Sequence, residues 1–553
     1  GNVFLGVGAG QANNGGQNNT AIGEHSLFTN TTGNSNNVYG AYALYSNTSG
    51  SENTANGTLA LYFNSTGSEN TAIGGRALYD NTTGSKNTAN GSQALAINST
   101  GNENTASGYR ALFSNTTGSF NTATGVDALL TNSIGSYNTA QGYQALYLNT
   151  MGATNTANGY QSLYSNTSGD NNTANGYQAL YSNTTGFDNS SNGQESLYSN
   201  TTGSYNSANG YQALYANTTG NLNTANGNEA LYSNTTGSEN TANGQGALFN
   251  NKTGDNNTAT GSASLYINTT GVNNTADGYH ALFSNTSGGS NTANGNEALS
   301  SNSSGSNNVA NGYEALFKNT TGAFNTANGH MALYFNTGGW YNTAIGNGAL
   351  ANNTLGNNNI AIGSNSGTHA NAGLVFNTIS IGNDDILNAY QNQAFIGNTS
   401  TAFIGGKVTW SVFSDARIKN AIQEDVKGLD FILRLRPVTY HISNKAITTL
   451  TGNKETPDFP GKYDGEKIKY TGFLAQEVEQ AAKAASYDFS GYAAPKNQWG
   501  LYTLSYEQFV VPLVKAMQEQ QIIIINQQKQ LDFIEKRLAA LETKSPPAPQ
   551  RGF

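Results

Sequence analysis

Apolar, small and polar positions recur along this chain with a period of 17 residues, and the stretch Asn172 to Asp188, NTANGYQALYSNTTGFD, shows one whole period. Stepping by 17 from Asn2 to Asn359 meets asparagine each time, giving 22 starts without insertion or deletion. A unit this short cannot bury its own apolar face, so neighbouring units must stack and share one continuous core. Glycine fills the fifth place of every unit, from Gly6 and Gly23 to Gly363, and the fifteenth, from Gly16 and Gly33 to Gly356. Glycine takes positive φ or allows close backbone approach, so two fixed glycines predict two corners per coil. The Asn-Thr-Ala-x segment before the first corner reads as a short strand whose small third residue packs inside a narrow coil.

Between the corners lie Ala or Ser at the eighth place, Leu at the ninth and mostly Tyr or Phe at the tenth, as in Ala179, Leu180 and Tyr181. So short an apolar run leaves a second strand or a single helical turn open, with a strand preferred. In a strand, the ninth and tenth side chains point to opposite faces, one filling the coil and the other left outside. An exposed aromatic column of that length exceeds the apolar patch a soluble monomer carries, which predicts a homo-oligomer, most simply a homotrimer. A helical turn would weaken that argument. Asparagines at the first and twelfth places, such as Asn172 and Asn183, predict two amide ladders along the axis. The same corner chemistry explains the many Asn-x-Thr/Ser triplets, such as Asn183-Thr184-Thr185, better than glycosylation does. At about 4.8 Å between adjacent strands, the array makes a rod on the order of 100 Å long.

High Gly, Asn, Ser and Thr content alone would suggest a flexible low-complexity tract, but a flexible tract has no reason to hold a register. The array resembles the head repeats of trimeric autotransporter adhesins, whose NSVAIG-like units form left-handed parallel β-rolls, and the repeats of phage tail-fibre proteins. Asn19 to Gly23, Asn70 to Gly74 and Asn342 to Gly346, each reading NTAIG, come nearest to that pattern, while the 17-residue length departs from the shorter adhesin unit. After Asn359 the register fails. The segments Asn377 to Gly382, Ala394 to Gly397 and Ala402 to Gly405 carry larger residues and read as a β-rich neck.

Composition divides the chain at the same place. All eight prolines lie at or after Pro437, and only Arg76, Lys86, Arg110, Lys252 and Lys318 among the 24 Lys and Arg precede residue 401. The array is therefore about −12 and the tail about +3 within a net charge of −9, which speaks against a nucleic-acid partner. There is no cysteine, so neither disulfide nor thiolate metal site is expected. His25, His280, His330, His369 and His441 stand singly, so no metal and no cofactor are expected. No run of about 18 apolar residues occurs, so no membrane span is expected. Residue 1 stands one step before a repeat start with no initiator Met, which raises the expectation of an upstream portion.

Different chemistry begins at Ser414-Asp415-Ala416-Arg417-Ile418-Lys419. Gly428-Leu429, Leu435-Arg436-Pro437-Val438-Thr439-Tyr440, the block Gly472 to Glu479 (GFLAQEVE) and Ser505-Tyr506 follow in order. This succession resembles the intramolecular chaperone of endosialidases and phage tail fibres, a self-cleaving C-terminal domain, over about a quarter of the chain. The resemblance implies that Ser414 is the nucleophile and Lys419 its base, with cleavage between Phe413 and Ser414. Ile418 stands where Leu is commoner. Lysine can take a serine proton only where desolvation or nearby cations favour the neutral amine, which a packed trimer can provide. The alternative is a chaperone fold without cleavage, in which Ser414 caps the next helix.

Farther on, Val510, Leu513, Met517, Ile524, Leu531, Ile534, Leu538 and Leu541 alternate three- and four-residue spacings, interrupted only by Gln520 and Gln527. That is a coiled-coil seam, and it supports a trimer independently of the array.

The expected fold is mainly β, an elongated parallel β-solenoid (β-roll) over residues 1–376 with a β-rich neck over 377–413. An α+β chaperone domain over 414–505, a coiled-coil helix over 506–543 and a disordered tail over 544–553 complete it. The expected function is that of a trimeric extracellular fibre or adhesin, on a phage tail, a tail-like particle or a bacterial surface. It would present or space a surface for a cell-surface glycan or protein receptor. Enzymatic activity would be at most one self-cleavage per chain, with no external substrate. An ice- or carbohydrate-binding array using columns such as Thr173 and Asn175 is the alternative, and the stalk of an enzyme lying upstream is a third. The array itself repeats no carboxylate pair or nucleophile and base set.

Overall fold

The computed structural model describes residues 1–367, 374–383, 391–398, 401, 404–405, 413–452, 463–496, 498 and 500–544. They belong to two compact units, Gly1–Thr378 and Ile379–Phe553. His369, the Ala402-Phe403 pair and the chain after residue 544 lie outside the described residues.

The first unit is a parallel β-solenoid of about 22 coils, with one three-residue strand per coil from β1 (Val3–Leu5) to β22 (Ile360–Ile362). Each strand pairs in parallel with the strand 17 residues on, as in Thr173↔Ser190, Ala174↔Ser191 and Asn175↔Asn192. Alternation along the strand sends Ala174 into the core at 0% exposure and leaves Thr173 and Asn175 half-buried outside. One coil departs from the pattern with Ser191 at the third place and Ser196 at the eighth. The two hydroxyls lie against each other, and Ser191 Oγ donates to Ser196 O at 2.8 Å, so the intruding polar groups satisfy one another.

The two corner glycines are required for different reasons. Gly176 has φ 137°, and a Cβ there would lie 2.5 Å from the carbonyl oxygen of Gly193 in the next coil. Gly186 needs no positive φ, but a Cβ would press into the carbonyl of Gly203 and the amide of Asn183. Both expected asparagine ladders are present, and from Asn19 and Asn30 onward they are fully buried. Asn183 Nδ2 donates to Asn166 Oδ1 and to Gly186 O, both at 2.9 Å. Asn172 Nδ2 reaches the same Gly186 oxygen at 2.8 Å, while Asn172 N–H donates to Asn155 Oδ1 at 2.9 Å. The fifteenth-place carbonyl is thus held by both ladders, and a buried Asn183 leaves no room for a glycan on the folded coil.

The preferred second strand does not exist. Residues 177–182 form a succession of turns, and Gln178 (φ 51°) and Leu180 (φ 56°) adopt left-handed conformations that end a strand and a helix alike. Hydrogen bonds to coils on both sides stabilise this backbone. Gln178 N donates back to Tyr160 O at 2.9 Å, while Leu180 N and Ser182 N donate forward to Ser196 O and Tyr198 O at 2.9 and 3.0 Å.

The aromatic column must be corrected with it. Tyr181 is half-buried because its ring stacks on Tyr164 (5.1 Å, 9°) and on Tyr198 (5.2 Å, 6°). The tenth-place ladder runs unbroken from Tyr147 to Phe283 and buries its ring faces within one chain. Tenth-place aromatics therefore do not by themselves demand a second chain. The more exposed aromatics include the sixth-place tyrosines Tyr143, Tyr160 and Tyr177.

The register fails after Asn359 because the next coil is longer. Thr378, 19 residues on, gives its N–H and Oγ1–H to Asn359 Oδ1 at 3.1 and 2.7 Å. The Asn359 amide then bonds Val375 O at 2.8 Å in place of a glycine carbonyl.

In the second unit, β23 (Ile379–Ile381) pairs in parallel with β24 (Ala394–Ile396). Antiparallel pairs follow between β25 (Val438–Tyr440) and β26 (Tyr470–Gly472) and between β27 (Tyr492–Ala493) and β28 (Thr503–Leu504). Helices α1 (Leu429–Ile432), α2 (Asn444–Thr451), α3 (Ala475–Ala484) and α4 (Val510–Glu542) complete the unit. Its core gathers Phe431, Val478, Ala481, Ala482, Phe489 and Phe509. Gly472 is fixed by Tyr506, whose hydroxyl occupies the space of a Cβ and accepts the Phe473 N–H at 3.0 Å. Along α4, Pro512 and Ala516 are buried in the first two turns, but every side chain from Gln520 onward is exposed, including Ile524 and Leu531. Among the described residues no helix is long and apolar enough to cross a membrane.

Candidate self-cleavage site

The SDARIK segment folds back on itself. Asp415 caps the 3-10 turn Ala416–Ile418, its carboxylate accepting the Arg417 N–H at 2.9 Å and pairing with the Arg417 guanidinium. Hydrogen bonding to that guanidinium holds the Asp415 carboxyl below the usual carboxylate range. The turn returns the chain so that Lys419 Nζ donates to Ser414 Oγ at 2.9 Å across five residues. The capping role considered for Ser414 therefore falls to Asp415, leaving the serine hydroxyl to the lysine.

Phe413, Ser414 and Lys419 are all exposed in the single chain, Phe413 at 95%. A hydroxyl so placed is within proton-transfer reach of the amine. The Asp415–Arg417 pair was not singled out by sequence reasoning, although both residues lie inside the motif. Nor was the ion pair between Arg436 and Glu477, which joins the Leu-Arg-Pro-Val segment to α3 and holds the Glu477 carboxyl below its usual range.

On the rod, the Thr173 and Asn175 columns do lie together on the outer face of the strands, but Asn175 Nδ2 donates to Asn192 Oδ1 at 2.8 Å, so part of that face bonds itself. The described histidines stay apart. His25 stacks on Tyr42, His280 on Tyr279 and His330 on Tyr313, while His441 Nδ1 lies 2.9 Å from Glu466 O. Among the described residues no group of three His, Asp or Glu side chains is arranged to hold a metal ion.

Residues 414–487 match the family described as chaperone of endosialidase. The match opens on Ser414, the residue in contact with Lys419, and ends before Ser505-Tyr506 and α4, which the sequence resemblance had included. No curated protein matches the chain.

Proposed function

We propose that the chain is one subunit of a homotrimeric extracellular fibre whose C-terminal region directs assembly and then cuts itself off before Ser414. A β-solenoid followed by a chaperone-of-endosialidase segment fits a tail-fibre-like structural protein. The observation that carries the cleavage reading is the 2.9 Å contact between Lys419 Nζ and Ser414 Oγ at the first residue of the family match. In the reaction, the neutral Lys419 amine takes the hydroxyl proton and Oγ bonds to the carbonyl carbon of Phe413. The Phe413–Ser414 C–N bond breaks, the leaving nitrogen takes the proton, and water hydrolyses the resulting ester.

Support for three chains comes from α4, whose exposed apolar positions repeat the coiled-coil spacing. Loss of the tail would leave the rod without the element that folded it, turning thermodynamic into kinetic stability. The rod would present or space a surface for a cell-surface glycan or protein, with functional boundaries near residues 376, 413, 505 and 543. A second reading, ice or carbohydrate binding along the Thr173 and Asn175 columns, draws on their outward placement.

The test is expression of the parent beside Ser414→Ala, Lys419→Ala and Ile524→Asp. The parent should form a trimer by light scattering and release a fragment beginning at Ser414, and both dyad variants should remain full-length trimers. Ile524→Asp should remain uncut because the seam does not assemble. A parent that stays monomeric, or intact through mild heating, would refute the proposal.

A further inference from the structure

Glu519 on α4 reaches across to the start of α1. Its Oε2 accepts the Leu429 N–H at 2.8 Å, and its Oε1 lies 3.9 Å from Lys515 Nζ. Gly428, just before α1, makes the contact possible. A Cβ there would occupy the place of the Glu519 carboxylate and lie 2.9 Å from Ala516 N. Gly428 has φ −96°, so the requirement is for space and not for a left-handed backbone. Two residues after Leu429, Phe431 is fully buried against Phe489 and Phe509 and fixes α1 in the core. The segment that follows Lys419 is therefore tied at its far end to α4, next to Gln520 on the seam.

We infer that Glu519 is a positioning residue that joins the assembly helix to the Ser414–Lys419 segment, so that formation of the seam and cleavage of the chain are coupled through one carboxylate. The inference rests on the proposed self-cleavage. Lys419 and Gly428 are nine residues apart, so an anchor at α1 confines the dyad to within about 30 Å of it. Ordering α4 in a trimer orders Glu519, Glu519 orders Gly428-Leu429, and the short tether then limits where Lys419 meets Ser414 and the Phe413 carbonyl. The contact uses an acceptor oxygen, so a side-chain amide can serve in its place, whereas a methyl group cannot.

The experiment uses the full chain as parent, Glu519→Ala, Glu519→Gln, Gly428→Ala and Lys515→Ala, with assembly read by light scattering and cleavage by the rate at which the Ser414 N-terminus appears. Expected are trimers throughout, cleavage slowed at least tenfold in Glu519→Ala and Gly428→Ala, most of the rate restored in Glu519→Gln, and the parental rate in Lys515→Ala. Gly428→Ala disturbs the same contact from the α1 side, its Cβ pressing on the Glu519 carboxylate and on Ala516 N of α4, so as a trimer it decides the matter if Glu519→Ala fails to fold. Trimeric Glu519→Ala or Gly428→Ala cutting at the parental rate would overturn the coupling, as would Glu519→Gln cutting no faster than Glu519→Ala. A trimeric parent that never cuts would instead overturn the self-cleavage reading, and the coupling with it.

Discussion

Replacing Asn183 by alanine tests what holds the coils together. The Asn183 amide makes two donated bonds, to Asn166 Oδ1 and Gly186 O, and its Oδ1 accepts one from Asn200 Nδ2 at 2.8 Å, all at 0% side-chain exposure. Gly186 O keeps the Asn172 amide and Asn200 keeps Gly203 O, so neither is orphaned. Asn166 Oδ1 loses its ladder donor and is left unpaired at 0% exposure. At about 1 kcal/mol for each of the three bonds lost and about 1–3 kcal/mol for a buried unpaired acceptor, the local cost is about 4–6 kcal/mol. Because a stacked array opens locally and not all at once, the assay is native-state hydrogen exchange at the Leu180 and Thr184 amides, both of which donate to the following coil. Opening there should become at least a hundredfold more frequent, while coils far along the rod stay unchanged. Thr185→Ala, at an exposed corner position, is the control. If Asn183→Ala exchanges within about threefold of this control, less than about 1 kcal/mol, the ladder is not what secures the coils.

Further expectations concern the corners, the tail and the rod face. Gly176→Ala places a Cβ against the next coil at φ 137°, and it should destabilise its coil by about 3 kcal/mol or more in the same exchange experiment. In the tail, hydrogen bonding to Arg436 depresses the folded-state pKa of Glu477. Its contribution is therefore fully present above the unfolded glutamate value of about 4.3 and is lost as pH falls through the lower folded value. Helix melting followed at 222 nm should accordingly lose part of its pH dependence below about pH 4.3 in Arg436→Gln. An unchanged acid profile would count against the pair. On the rod face, Thr173→Lys together with its equivalents at Thr156 and Ser190 should abolish ice shaping or glycan retention if that surface binds, without altering the fold. Unchanged retention would leave the rod as a spacer.

Repetition made most of the rod legible in the sequence. Two asparagines and two glycines at constant places have few physical uses besides ladders and corners, and the third-place alanine of a short strand has only one inward direction. The turns at Gln178 and Leu180 were not legible. Neither residue favours positive φ, and the conformation is imposed by hydrogen bonds to coils above and below, which no single unit encodes. The aromatic column was visible but misplaced, because the opposite-face rule for Leu180 and Tyr181 holds only in a strand. At the tail, the motif pointed to Ser414 and Lys419 through resemblance, and the turn that brings them to 2.9 Å depends on Asp415 as cap. Glu519 gave no local sign, since its partner Leu429 lies 90 residues earlier.

The fifth-place corner also governs how the rod ages. Asn-Gly junctions such as Asn90-Gly91, Asn175-Gly176 and Asn328-Gly329 are the peptide links most prone to deamidation, in which the glycine nitrogen attacks the asparagine side-chain carbon and expels ammonia. Within the stack that nitrogen is engaged, since Gly176 N–H donates to Asn158 O at 2.8 Å and Gly329 N–H to Asn311 O at 2.8 Å. The nucleophile becomes free only when one coil parts from the coil before it. Succinimide formation is thus gated by opening, and isoaspartate accumulating at a given junction records how long that coil has spent apart from its neighbour.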